Sequence, residues 1–126
     1  MGATVSISLP IPKSRGSNGR DHWAAKAKLT KADRLMARIT GGTVSPAMPL
    51  RFVSLTIAYR VKGKQGPDVD NAISRCKAYL DGLTDAGWWV DDRVLVEIKA
   101  AVFRGCGKDE GVTITAKDVE KAGDAT

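Results

Sequence analysis

RFVSLTIAYRVKGKQGPDVDNAISRCKAYLDGLTDAGWWVDD, residues 51–92, opens in strict alternation, with Val53, Leu55, Ile57, Tyr59 and Val61 on one side of an extended chain. That is the period of a half-buried strand. Lys62 to Pro67 follows as a basic, glycine-containing turn. From Asn71 to Leu83 the spacing changes: Ile73, Cys76, Leu80 and Leu83 recur at intervals of three, four and three, which puts them on one face of a core-directed helix. Gly87 supplies its stop.

The same logic extends outward. Val94, Val96, Ile98, Ala100 and Val102 make another alternating run, and Val112 to Ala116 reads as a last strand after a glycine-rich turn. Upstream, Val5, Ile7 and Leu9 share one face of a strand that Pro10 and Pro12 end, and Lys13 to Gly19 is a Ser/Gly/basic loop. From His22 to Thr40 the composition is helical, with Leu35, Met36 and Ile39 as the apolar face and Thr30 with Asp33 as a capping pair. The order is β-α-β-α-β-β: one compact α+β domain over residues 1–117, a mixed sheet with helices packed on it, and a polar tail over 118–126. A chain of 126 residues suffices for one core.

Charge is distributed unevenly. Residues 1–40 hold eight Lys/Arg against two Asp, whereas residues 41–126 hold twelve against twelve acidic side chains, so the net +6 is N-terminal. On a regular helix Lys28, Lys31, Arg34 and Arg38 fall within an arc of about 120°. Such a stripe suits a polyanion, nucleic acid first, although a merely solvated helix face gives the same pattern. Two cysteines and one histidine exclude a disulfide framework and a paired zinc motif. No apolar run reaches membrane-spanning length, so a cytoplasmic protein without a membrane partner is expected.

Six of the eleven aspartates lie between residues 68 and 92, as Asp68-Val69-Asp70 at the helix entrance and Asp91-Asp92 before the next strand, with Asp81 and Asp85 between. Asp70 or Asn71 suits a helix cap, and chance alone supplies such pairs. If the chain returned along the helix through Thr84 to Val90, however, the two groups would meet. Four converging carboxylates would repel one another by roughly 4 kcal/mol per pair at ~4 Å. A divalent cation with oxygen ligands is the natural occupant of such a gap.

Taken together, GPDVDNAISRCKAYLDGLTDAGWWVDD (residues 66–92) resembles the central motif of the RusA family of Holliday junction resolvases. Asp68, Asp70 and Asn71 match its Asp-x-Asp-Asn. Lys77 precedes Leu80-Asp81-Gly82-Leu83, Ala86-Gly87 follows, and Asp91-Asp92 opens the strand region. VSISLPIPKSRGSN (residues 5–18) is similar to the family's opening strand and loop, with Lys13 where a second proline is usual. The resemblance covers nearly the whole chain and is weak after residue 104. It implies a RusA-like fold and a homodimer that cuts four-way DNA junctions with Mg²⁺, or Mn²⁺ in its place. It also implies Asp68, Asp70 and Asp92 as metal ligands, with Asp91 and Lys77 as further catalytic candidates. Lys77 lies six residues after Asn71 where one common form of the pattern has three, and pairing with Asp81 is its alternative role.

The basic side chains expected to meet branched DNA are Lys13, Arg15, Lys28, Lys31, Arg34, Arg38, Lys62 and Lys64. Trp23, Trp88 and Trp89 are expected in the core or a dimer interface rather than stacked on bases. Three other readings stay open: a non-catalytic basic DNA-binding module, a basic scaffold protein, and a nuclease acting on other branched DNA.

Overall fold

The computed structural model describes residues 3–14 and 23–119. Four strands form one mixed sheet: β1 (Thr4–Leu9), β2 (Val53–Arg60), β3 (Leu95–Phe103) and β4 (Gly111–Asp118), in spatial order β1-β4-β2-β3. β4 runs antiparallel to both β1 and β2, whereas β3 runs parallel to β2. Three helices accompany them: α1 (Trp23–Gly42), α2 (Val69–Arg75) and α3 (Lys77–Asp85). The domain is α+β, in the expected order with two differences. The helix expected over 71–83 is broken at Cys76 into α2 and α3, and the last strand continues to Asp118, into the stretch read as tail. Residues 120–126 of that tail lie outside the described residues.

Alternation in the strands decides which face is covered. Val53, Leu55, Ile57 and Tyr59 are fully buried, together with Val112, Ile114 and Ala116 of β4, and they cluster with Ala37, Tyr79 and Leu83 from the helices. Burying each aliphatic side chain of this size contributes about 1.5–3 kcal/mol. The other face of the sheet is hydroxyl-rich: Ser6 meets Thr115 at 3.0 Å and Ser8 meets Thr113 at 3.3 Å across the β1–β4 ladder.

α1 does not pack as its hydropathy suggests. Leu35 and Ile39 are exposed, and the helix instead buries Asp33, Ala37 and Gly41, one turn apart. Small residues let α1 and α3 approach closely: a Cβ at Gly82 would collide with the Arg34 carbonyl and lie 2.7 Å from the Ala37 Cβ. Asp33 is not a cap. Its carboxylate accepts the backbone N–H groups of Lys13 and Ser14 at 3.0 and 2.9 Å, so it fixes the loop that follows β1.

Trp88 and Trp89 are core residues, as expected. Their rings meet edge to face with centroids 6.2 Å apart, a favoured aromatic geometry. Both indoles have partners: Trp88 Nε1 donates to the Gly41 carbonyl and Trp89 Nε1 to Thr84 Oγ1. Trp88 and Trp89 therefore anchor segment 86–91 against α1 and α3, and a short turn then leads into β3. The antiparallel return expected through Thr84 to Val90 does not occur.

Candidate active site

The two acidic groups sit on opposite sides of a parallel crossover. In a β-α-β unit with parallel strands, the segment leaving the first strand and the segment entering the second lie at opposite ends of the strands. Asp68 and Asp70 come after β2, and Asp91 and Asp92 precede β3. Hydrogen bonds fix the first of these ends. Arg104, just past β3, donates from Nη2 to the Pro67 carbonyl at 3.2 Å, while Gly105 N–H bonds the Gly63 carbonyl at 2.7 Å. The strand between Asp92 and Arg104 is long: nine residues of β3 rise about 3.3 Å each.

At the first end, Asp68 is the N-cap of α2. It is extended, and Oδ1 accepts the Asn71 N–H at 2.9 Å. The side chain thus satisfies one of the orphan N–H groups of the helix start and leaves its other oxygen for further work. Asp70 stands in the first turn, exposed. β1 and β2 both end on this side, since Leu9 and Tyr59 flank Val112. Lys13, held by Asp33, and the exposed Lys62 and Lys64 therefore share this end with the Asp-x-Asp pair.

At the other end, Asp91 and Asp92 have separate fates. Asp91 caps a short 3-10 turn (Asp92–Val94) by accepting the Arg93 N–H at 2.8 Å, and it also pairs with the Arg93 guanidinium at 2.8 Å. That side-chain bond, more than the backbone one, holds its carboxyl below the usual range. Asp92 is exposed and lines a groove of about 340 Å³ with Lys77, Asp81, Leu95 and Ile98. Lys77 and Asp92 are thus brought together, and Asp81, which sequence reasoning placed only as a possible helix partner of Lys77, joins them.

No ion pair among the described residues involves Asp68, Asp70 or Asp92. Among the described residues, no group of three or more His, Cys, Asp or Glu side chains is close enough to hold an ion. Exposed carboxylate oxygens are the right donors for a hard divalent cation. The described residues of one chain do not gather three of them; Asp68 and Asp70 stand together at the start of α2 and Asp92 apart from them.

The basic stripe is present on α1. Lys28, Lys31, Arg34 and Arg38 are all exposed. Arg34 is already engaged: Nε and Nη2 form a fork on Asp85 at 2.6 and 2.9 Å. The bond raises the guanidinium's pKa and lowers that of the Asp85 carboxyl. Arg15, His22 and the Trp23 side chain lie outside the described residues. Arg104 was missed by sequence reasoning; its position just after an alternating strand carries no signal, because its role depends on the parallel crossover.

Comparison with known proteins agrees with the motif reading. The chain is 35% identical to a crossover junction endodeoxyribonuclease RusA of Escherichia coli, over 89% of its own length and 94% of that protein's. It is 33% identical to the corresponding protein of Enterobacteria phage 82, over 81% and 88%. An uncharacterized protein of Xylella fastidiosa is 35% identical over 72% of the chain, which spans 62% of that relative. No family model matches. Among the described residues, no helix is long and apolar enough to cross a membrane. On the strength of these near-full-length relatives, the chain belongs to the RusA family of crossover junction endodeoxyribonucleases.

Proposed function

We propose that this protein is a metal-dependent endodeoxyribonuclease that resolves four-way DNA junctions by paired cuts, acting as a homodimer in the cytoplasm of a bacterial or phage-infected cell. The observation that carries the reading is the exposed Asp68–Asp70 pair at the start of α2, on the same side of the sheet as Lys13, Lys62 and Lys64, in a chain of this family. Asp68, Asp70 and Asp92 are the proposed ligands of Mg²⁺, with Mn²⁺ able to replace it. A cation held by such carboxylates neutralises phosphoryl charge and acidifies a bound water.

The chain's own side chains supply the rest. Lys62 and Lys64 project from the loop between β2 and α2, where a phosphate facing Asp68 and Asp70 would meet them. Lys28, Lys31 and Arg38 extend the positive surface along α1. Lys77, which shares a groove with Asp92, would neutralise a phosphate oxygen. Each phosphate neutralised steepens the salt dependence of binding by about 0.9 on a log–log plot.

Incubation of the full chain with synthetic four-way junctions, flaps and forks at equal concentration, with and without Mg²⁺, tests the reading. Symmetric nicks on the four-way junction, made only with the cation, are expected. Preferential cutting of flaps or forks would change the substrate. The capping role of Asp68 at the start of α2, together with the exposed basic stripe of α1, favours a second reading, a DNA-binding module without catalysis. A shifted band with no product in either Mg²⁺ or Mn²⁺ would establish that one.

A further inference from the structure

We propose that Arg104 is a substrate-binding residue of the acidic site, its guanidinium gripping a phosphate of the DNA strand presented to Asp68 and Asp70. The inference deepens the nuclease reading and rests on it for what is cut, but not for what is bound.

The loop after β3 is built to hold this side chain in place. Gly105 and Gly107 take left-handed backbone, with φ of +70° and +57°, which glycine adopts without steric cost. The loop so shaped donates three N–H groups to the segment leaving β2: Gly105 to the Gly63 carbonyl at 2.7 Å, Cys106 to Val61 at 2.9 Å and Gly107 to Lys62 at 3.1 Å. Those donors are spent, so an anion arriving here meets the Arg104 side chain rather than these backbone N–H groups. Nη2 of Arg104 is fixed at 3.2 Å on the Pro67 carbonyl. Asp68 is the next residue, and consecutive Cα atoms are about 3.8 Å apart.

Arg104 carries a charge that is positioned without being neutralised. Arg34 pairs with Asp85 and Arg93 with Asp91, so a carboxylate balances each of them. The partner of Arg104 is a neutral carbonyl, and no ion pair among the described residues includes it. A guanidinium has five N–H donors in a planar fork, and the Pro67 bond uses one. The side chain is exposed, and its remaining donors match two oxygens of a phosphate. Lys62 and Lys64 bring the same charge on flexible four-carbon stems. Arg104 is already oriented and loses less freedom on binding. Two carboxylates at the start of α2 repel a phosphate, and a cation fixed beside them offsets that repulsion.

Junction binding at several salt concentrations, measured on the full chain without divalent metal, tests the contact. Arg104→Gln should lower the salt slope by about 0.9 and weaken binding at low salt about tenfold. Arg104→Lys keeps the charge and should recover the slope. Lys117→Gln removes a charge from β4 near Thr4 and Ser54, at the other end of the strands, and should leave the slope unchanged. A wild-type slope in Arg104→Gln, even with a lowered unfolding midpoint, would make Arg104 a structural residue only and overturn the proposal. So would a slope in Arg104→Lys as low as that of Arg104→Gln. An equal fall in Lys117→Gln would reduce the effect to net charge and overturn it as well.

Cutting of a saturating four-way junction with Mg²⁺ supplies the second readout. Arg104→Gln should be slowed about tenfold or more, because the phosphate is no longer held in register. Arg104→Lys should stay slower than wild type, since an ammonium cannot fork; full activity in either variant would overturn the proposal. A wild type that binds junctions but cuts no branched DNA would refute the nuclease reading by itself, while the salt slopes would still decide the contact. A wild type without affinity for junctions would overturn both.

Discussion

Arg104 donates to the carbonyl of Pro67 across 3.2 Å, and this bond ties the entrance of α2 to the far end of β3. Asp68 is thereby held away from Asp92, which lies beyond the opposite end of the same strand. Arg104→Ala removes a charge-assisted bond of roughly 1.5–3 kcal/mol. Because the bond joins two loops, its loss should reduce junction cleavage more than it lowers the unfolding midpoint. Comparing the two quantities in the same variant checks this, and an equal loss of both would indicate general destabilisation.

Asp33 organises the loop that carries Lys13. Replacing it with alanine leaves the Lys13 and Ser14 N–H groups without their acceptor, at about 1–3 kcal/mol. Denaturant unfolding should report a midpoint lowered accordingly. A stability equal to wild type would show that solvent satisfies these donors.

The crossing of α1 and α3 depends on a missing side chain. Gly82→Ala places a methyl group against the Arg34 carbonyl and 2.7 Å from the Ala37 Cβ, and backbone cannot swing aside as a side chain can. A loss of about 1–3 kcal/mol is expected from overpacking, read as a lower thermal midpoint. An unchanged midpoint would mean that the helices are not packed this closely.

Alkali should reveal Cys76. Burial, assisted by the Asp33 carboxylate, pushes its thiol from 9.0 up to about 12, so the folded chain keeps a proton that the unfolded chain releases. The associated stability is fully present below about pH 9 and is lost as pH rises from there toward 12. From this group alone the slope reaches about 1.4 kcal/mol per pH unit. Cys76→Ala should be less stable at neutral pH and decline more gently above pH 9. A decline as steep as the wild type's would assign the effect elsewhere, for instance to Tyr79, whose hydroxyl burial likewise raises.

On α1, Lys31→Ala and Arg38→Ala should each lower the salt slope of junction binding by about 0.9. Arg34→Ala should change it less, because Asp85 already balances that charge. Fluorescence titrations at several salt concentrations measure all three, and slopes equal to the wild type's throughout would remove α1 from the DNA surface.

Much of the fold was legible in residues 51–92. The alternation of β2 and the helical spacing of Ile73, Cys76, Leu80 and Leu83 reappear in the packing of the domain, where Cys76, Leu80 and Leu83 join the β2 side chains in the core. The α1 packing was not legible, since Ala37, Gly41 and Gly82 make their contact by being small, and hydropathy rewards Leu35 and Ile39 instead. The direction of β3 was not legible either. Alternation marks a strand but not its orientation, and only the parallel ladder with β2 reveals that Asp68 and Asp92 lie at opposite ends. The candidate residues were readable from their motif; their separation within one chain was not.

The most direct test of the nuclease account is Asp70→Asn on a synthetic four-way junction with Mg²⁺, cutting and binding being measured on the same preparation. Removing one carboxylate beside the phosphate path should abolish product while leaving junction affinity equal to or greater than that of the wild type. Product at the wild-type rate, or loss of affinity together with cutting in a variant that remains folded, would contradict it.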